Sequence, residues 1–149
     1  MVLRMVRFIA LMSTALALGA ALAHLFELAN KIDLSRDEYL TVQQLYQGWA
    51  LLGVVEAVSL LSVSALAVMA RTKRRSLVWT LIAALCIAAT LVVFFTVTFP
   101  ANQRTGNWTT LPANWQELRT QWEYSHATRA ILYLLGFAAL ALSVLAGDE

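Results

Sequence analysis

Histidine occurs twice in this chain, proline twice and cysteine once. A single cysteine excludes an internal disulfide framework. Cys86, set between Leu85 and Ile87 in an apolar run, reads as a small packing residue. Charge is scarce as well. Only 13% of the 149 residues are charged, where a soluble domain carries about 25%, and 60% are hydrophobic. There is no internal repeat, and no low-complexity tract beyond richness in Ala and Leu. These absences exclude a disulfide scaffold and a repeat protein, and they leave no room for a sizeable soluble domain.

What the chain has instead is long apolar runs. A membrane span takes about 20 residues of helix. Runs over 8–29, 49–70 and 77–99 qualify outright, and the run 130–146 becomes long enough once the polar lead-in 122–129 is added. The expected architecture is all-α, one domain over 1–149, an up-down bundle of four transmembrane helices spanning about 8–29, 45–70, 77–99 and 122–146. The connections on one side are then 30–44 and 100–121. Arg4 and Arg7 precede the first span, and Arg71, Lys73, Arg74 and Arg75 crowd the short turn between the second and third. By the positive-inside rule this side is cytoplasmic, with both termini there and the two longer connections outside. Trp49, Trp108, Trp115 and Trp122 fall on the outer side, where an aromatic belt is expected, and Trp79 marks the inner one. The expected location is a bacterial inner membrane, crossed several times. The basic run is a topology signal, and no nucleic-acid partner is expected. The N-terminus mimics a signal peptide ending at Ala21-Leu22-Ala23, and cleavage there would expose His24 as a copper ligand. The apolar run exceeds the roughly 7–15 residues of a signal h-region, so a span is the expectation.

Within the first outer segment, Ser35 and Glu38 have capping-box spacing. Tyr39, Val42, Leu45, Tyr46 and Trp49 follow at helical intervals. The second helix is therefore expected to start near Arg36 and project above the membrane. The second connection opens with Pro100 and contains Gly106 and Pro112, the pattern of a structured cap.

Ionisable residues inside spans cost roughly 2.5–3.5 kcal/mol each on insertion scales and point to function by default. Each histidine here sits three residues from a glutamate, in mirrored order: His24 before Glu27, and Glu123 before His126. Residues three apart share a helix face and differ in depth by about 4.5 Å. If the first and last helices are antiparallel neighbours, histidine faces histidine and glutamate faces glutamate. Glu56, about 10 Å below Trp49, comes near the same level. Four readings follow. His24 and His126 could be axial ligands of haem b, with Arg129 on a propionate. His24, Glu27, Glu56, Glu123 and His126 could hold iron or copper, although the third helix supplies no carboxylate. His126 or a glutamate such as Glu56 could act as a general base with no cofactor. Finally, the set could be a packing network, Arg129 with Glu56 or Glu123 and His24 with Glu27. Gln43, Gln44, Gln47 and Tyr46 would roof the pocket or form a solvated helix face.

The stretch from Pro100 to Arg129 resembles a P-x-N…W-x-x-L-R-x-x-W-x-x-x-H-x-x-R signature. It is matched here by Pro100, Asn102, Trp115, Leu118, Arg119, Trp122, His126 and Arg129. It is the signature of a small four-helix membrane family that includes the anthrone oxygenases. The segment from Glu27 to Lys31, with Tyr39, Gln43, Tyr46, Gly48 and Trp49, is similar to a branch of that family. The resemblance implies oxygenation of a polycyclic phenolic carbon acid in some members, with Asn102, Trp122, His126 and Arg129 lining the site. The expected function is a membrane oxidoreductase acting on a lipophilic aromatic or quinone-like compound. The alternative is a non-catalytic membrane subunit. A proton or solute carrier using Glu56 is disfavoured by the lack of paired inverted halves. Expected partners are membrane lipid and a lipophilic small molecule, with a homo-oligomer the one protein assembly entertained.

Overall fold

The structure, a computed structural model, describes residues 1–146; the last three residues of the expected domain lie outside the described residues. Among the described residues there is no strand. The elements are α1 (Val2–Lys31), α2 (Arg36–Gln43), α3 (Leu52–Met69), α4 (Arg74–Val93), α5 (Phe99–Arg104) and α6 (Trp115–Ala146). Among the described residues, four helical stretches are long and apolar enough to cross a membrane: Val2–Lys31, Trp49–Met69, Arg74–Arg104 and Trp115–Ala146. They form a multi-pass bundle in which α6 packs on α1 and α4, and α3 on α1 and α4.

The interior is built largely from small residues. Ala10, Ala17, Ala21, Ala83, Ala130 and Ala139 are buried, while Leu16, Leu61, Leu85 and Leu135 are more than half exposed. Membrane helices pack this way, because lipid solvates large apolar side chains and close backbone approach supplies the contact. At Gly136 an added Cβ would stand 3.2 Å from Cys86 Cβ, so α4 and α6 touch where both residues are small. Hydroxyl pairs tie the helices at depth: Thr14 to Ser59 at 2.7 Å, and Ser143 to Ser76 at 3.0 Å and to Thr80 at 2.6 Å.

One end of the bundle carries Met1 and the basic turn between α3 and α4. The other is capped by the segments 32–48 and 105–114. There a second apolar cluster joins Tyr39, Ala101, Trp108, Leu118 and Trp122. Arg119 fastens this cap, donating to the Leu34 carbonyl at 2.7 Å while its guanidinium lies 4.7 Å from the Trp115 ring centre.

Two boundaries differ from expectation. The helix expected to run unbroken from Arg36 into the second span is interrupted. After α2 a 3₁₀ turn (Gln44–Tyr46) leads to Gly48 at φ +84°, and a second 3₁₀ turn (Trp49–Leu51) opens the span. A left-handed residue ends helical propagation, and glycine adopts it without the steric cost of a side chain. The capping box itself forms, the Ser35 backbone N–H donating to Glu38 at 3.0 Å. The third helix, conversely, does not end at Pro100. It passes through a π-helical segment (Phe94–Thr98) into α5. Proline offers no N–H and crowds the preceding turn, and the wider π turn accommodates it. Gln121 of α6 donates to the Val97 carbonyl at 2.7 Å, holding the bulged segment.

Candidate functional site

Beneath the cap lies a cavity of about 790 Å³. It is bordered by Ala17–His24 of α1, Trp49–Ala57 of the second span, Leu91–Phe95 of the third and Trp122–Arg129 of α6, so all four spans contribute. That size suits a drug-sized or polycyclic ligand. Gly53, Ala57 and Phe95 on its border are exposed.

The mirrored His/Glu order has the geometric consequence expected of it. The rings of His24 and His126 stack with centroids 4.1 Å apart and planes 30° from parallel. Trp122 packs 4.2 Å from His126 and 5.1 Å from His24, and Tyr46 and Trp49 close on His24 at 4.6 and 5.4 Å. The imidazoles thus sit in an aromatic box, and His24 Nδ1 is buried with no hydrogen-bond partner.

The carboxylates do not join them. Glu56 borders the cavity but is held by Arg129, whose Nη2 donates to it at 2.5 Å while the guanidinium covers the Phe94 ring at 5.0 Å. Glu27 and Glu123 turn to Lys31, at 3.3 and 3.2 Å. Tyr46 donates its hydroxyl to Glu27, and Tyr39 donates to Glu123 at 3.0 Å. Burial first, and then the adjoining carboxylates, push both phenols well above the usual tyrosine range, so they remain hydrogen-bond donors. The expected pairing of Arg129 with Glu56 forms; that of His24 with Glu27 does not.

This arrangement bears on the metal and haem expectations. Among the described residues no group of three or more His, Cys, Asp or Glu side chains comes together as a metal site. The set His24, Glu27, Glu56, Glu123 and His126 is split among three separate clusters, because Lys31 and Arg129 claim the carboxylates. Axial haem ligands stand on opposite faces of the macrocycle, whereas these two rings lie against each other with no room for one between them. The residues fit neither iron, copper nor haem b in this arrangement.

Asn102, reached from α5, borders the cavity next to Trp122. Its Oδ1 accepts both the Trp122 indole N–H at 2.8 Å and the Trp108 indole N–H at 3.2 Å. Trp108 was expected in an interfacial belt; instead it is only 5% exposed, packed edge-on against Tyr39 at 5.2 Å. Its φ is +62°, an uncommon conformation for a bulky residue. Sequence reasoning missed Lys31, which is 3% exposed, as the hub of the cap network, and Tyr39 as a buried group, whereas Gln43, Tyr46 and Gln47 of the suggested roof do border the cavity. The spacing His24, Glu27, Lys31 carried the signal, since all three share one helix face.

Comparison with known protein families, with curated proteins and with solved structures returns no match.

Proposed function

We propose that the chain is an inner-membrane oxidoreductase without a resident cofactor, acting on a lipophilic aromatic carbon acid in the manner of the anthrone oxygenases. The observation that carries this reading is the stacked His24–His126 pair bordering an aromatic-walled cavity. An imidazole shielded from water is a neutral base, and general-base catalysis contributes about 10²–10⁴-fold. His126 takes a proton from a methylene flanked by aromatic rings, and the electron pair spreads into the ring system. Dioxygen is the co-reactant: the CH₂ becomes C=O, one oxygen atom ends in the ketone and the other leaves as water. Trp49, Trp122 and Tyr46 hold the flat substrate by its faces, and the Arg129–Glu56 pair gives the cavity a polar side. The cap is cast as external and the Arg-rich turn as cytoplasmic, as the charge distribution favours.

A second reading has its own support in one part of the molecule. Lys31, Glu27, Glu123, Tyr39 and Tyr46 are joined to one another by ion pairs and hydrogen bonds. We assign these five to holding the cap on the bundle.

The test is oxygen uptake by purified protein in lipid nanodiscs supplied with anthrone. Uptake above the uncatalysed rate that disappears in His126→Ala supports the reading. Equal rates with and without protein, over a panel of aromatic carbon acids, overturn it.

A further inference from the structure

Asparagine usually leaves open which end of its amide points where. At Asn102 the surroundings decide it. An indole N–H can only donate, and two of them, from Trp108 and Trp122, converge on one amide atom at 3.2 and 2.8 Å. That atom must be the carbonyl oxygen. With both indoles on Oδ1, the amino group is the part of Asn102 left for the cavity it borders. The backbone is bent to keep this arrangement. Trp108 at φ +62° follows Asn107 at φ +55°, and the turn carries the indole inward from α5. Strain at a bulky residue persists only where the surroundings enforce it, here the hydrogen bond to Asn102 and the packing against Tyr39.

From this we infer that Asn102 is a fixed hydrogen-bond donor for a neutral oxygen of the ligand, a ring ketone or phenol, and that it sets which carbon reacts. The inference rests on the reading of the cavity as a site for a lipophilic aromatic compound, and it narrows that compound to one with an oxygen at the capped end. His126 lies four residues beyond Trp122 on α6, about 6 Å toward the bundle centre. With an oxygen on Asn102 and the rings against Trp122, the carbon across the central ring from that oxygen points toward the His126 level. When that carbon gives its proton to His126, the C–H electron pair moves through the ring onto the anchored oxygen. The same amide N–H then meets a developing negative charge, which a pre-oriented donor stabilises more than it does the ketone.

The test separates this from the catalytic reading by measuring binding without oxygen. In anaerobic nanodiscs, anthrone carrying a ¹³C carbonyl should show its C=O stretch at lower frequency than in alkane solvent. In Asn102→Asp the carboxylate can still accept both indole N–H groups, but the donor is gone. The stretch should then return toward the alkane value and anthrone affinity should fall about tenfold or more. The affinity for 9,10-dihydroanthracene, the same skeleton without oxygen, should stay unchanged. Tryptophan emission and near-ultraviolet dichroism report whether the indole arrangement survives the substitution. The infrared shift in the unsubstituted protein needs no variant, and its absence overturns the inference. Equal loss of ketone and hydrocarbon affinity in Asn102→Asp also overturns it. His126→Ala should keep the infrared shift. If the shift and the Asn102 effect hold while oxygen uptake is absent, the donor stands and only the catalytic reading falls.

Discussion

Lys31 reaches Glu123 at 3.2 Å, joining the last turn of the first span to the start of the fourth, and the same ammonium lies 3.3 Å from Glu27. Glu123 is fully buried, so Lys31 is what keeps a carboxylate tolerable in that position. Removing one member of a buried pair costs about 3–5 kcal/mol, mostly because the other is left uncompensated. Lys31→Met should therefore lower the melting temperature strongly. Lys31→Met combined with Glu123→Gln should recover much of the loss, because no unpaired charge then remains. Thermal melts of both variants in detergent give the coupling, and additive losses would mean the pair is not acting as one unit.

The cap should also respond to acid. The Ser35 hydroxyl and backbone N–H hold the Glu38 carboxyl below the usual range. A lowered folded-state pKa means the stabilisation is present above the unfolded-state value and lost as pH falls through the folded one. Amide exchange over Arg36–Gln43, corrected for intrinsic rates, should quicken relative to the rest of the protein below that range. Ser35→Ala should produce the same loosening at neutral pH. Exchange with no acid dependence in this helix would remove the capping box as its anchor.

Two glycines test different constraints. At Gly48 nothing lies within 4 Å of an added Cβ, yet φ is +84°, so Gly48→Ala meets backbone strain alone, about 1 kcal/mol. At Gly136 the backbone is ordinary helix but Cys86 Cβ is 3.2 Å away, so Gly136→Leu must force α4 and α6 apart. Overpacking of this kind costs roughly 1–3 kcal/mol. Melts should rank Gly136→Leu below Gly48→Ala, and only the former should be eased by Cys86→Gly, which removes the opposing Cβ.

The spans were legible because their hydropathy extends all round each helix and needs no tertiary information. The meeting of His24 and His126 was legible too, since mirrored spacing on antiparallel helices fixes relative depth. The ligand set was not. Whether Glu27, Glu56 and Glu123 gather around a metal or disperse onto cations depends on where Lys31 and Arg129 reach, and that is decided by helix rotation. Lys31, at the end of a span, reads from sequence as an interfacial charge; its burial follows from a cap that only the fold assembles. The Gly48 break and the helix running through Pro100 were missed for a similar reason. Local helical spacing continues across the first, while the π segment that accommodates the second has no pattern of its own.

The orientation proposed from charge placement has a direct check. In a Cys86→Ala background, Arg74→Cys should be protected from a membrane-impermeant thiol reagent in intact cells, and Thr110→Cys should be labelled. Both positions are exposed, so reactivity reports sidedness instead of burial. The reverse labelling pattern would invert the bundle.

The last prediction separates an enzyme from a scaffold by using two residues that border the same cavity. His126 makes ring contacts with His24 at 4.1 Å and Trp122 at 4.2 Å, and imidazole can be neutral at pH 7. His126→Ala therefore leaves no stranded charge. Oxygen uptake should fall by about 10²-fold or more with only a modest shift in melting. Glu56 differs, because it compensates Arg129 at 2.5 Å and both side chains are largely buried. Glu56→Gln keeps the shape but strands the guanidinium, so it should lower the melting temperature more than His126→Ala does. Activity measured well below both melting temperatures then has a clear meaning. A His126 variant that melts far lower than the Glu56 variant, in a protein with no oxygen uptake to lose, would reduce the histidine pair to a packing element.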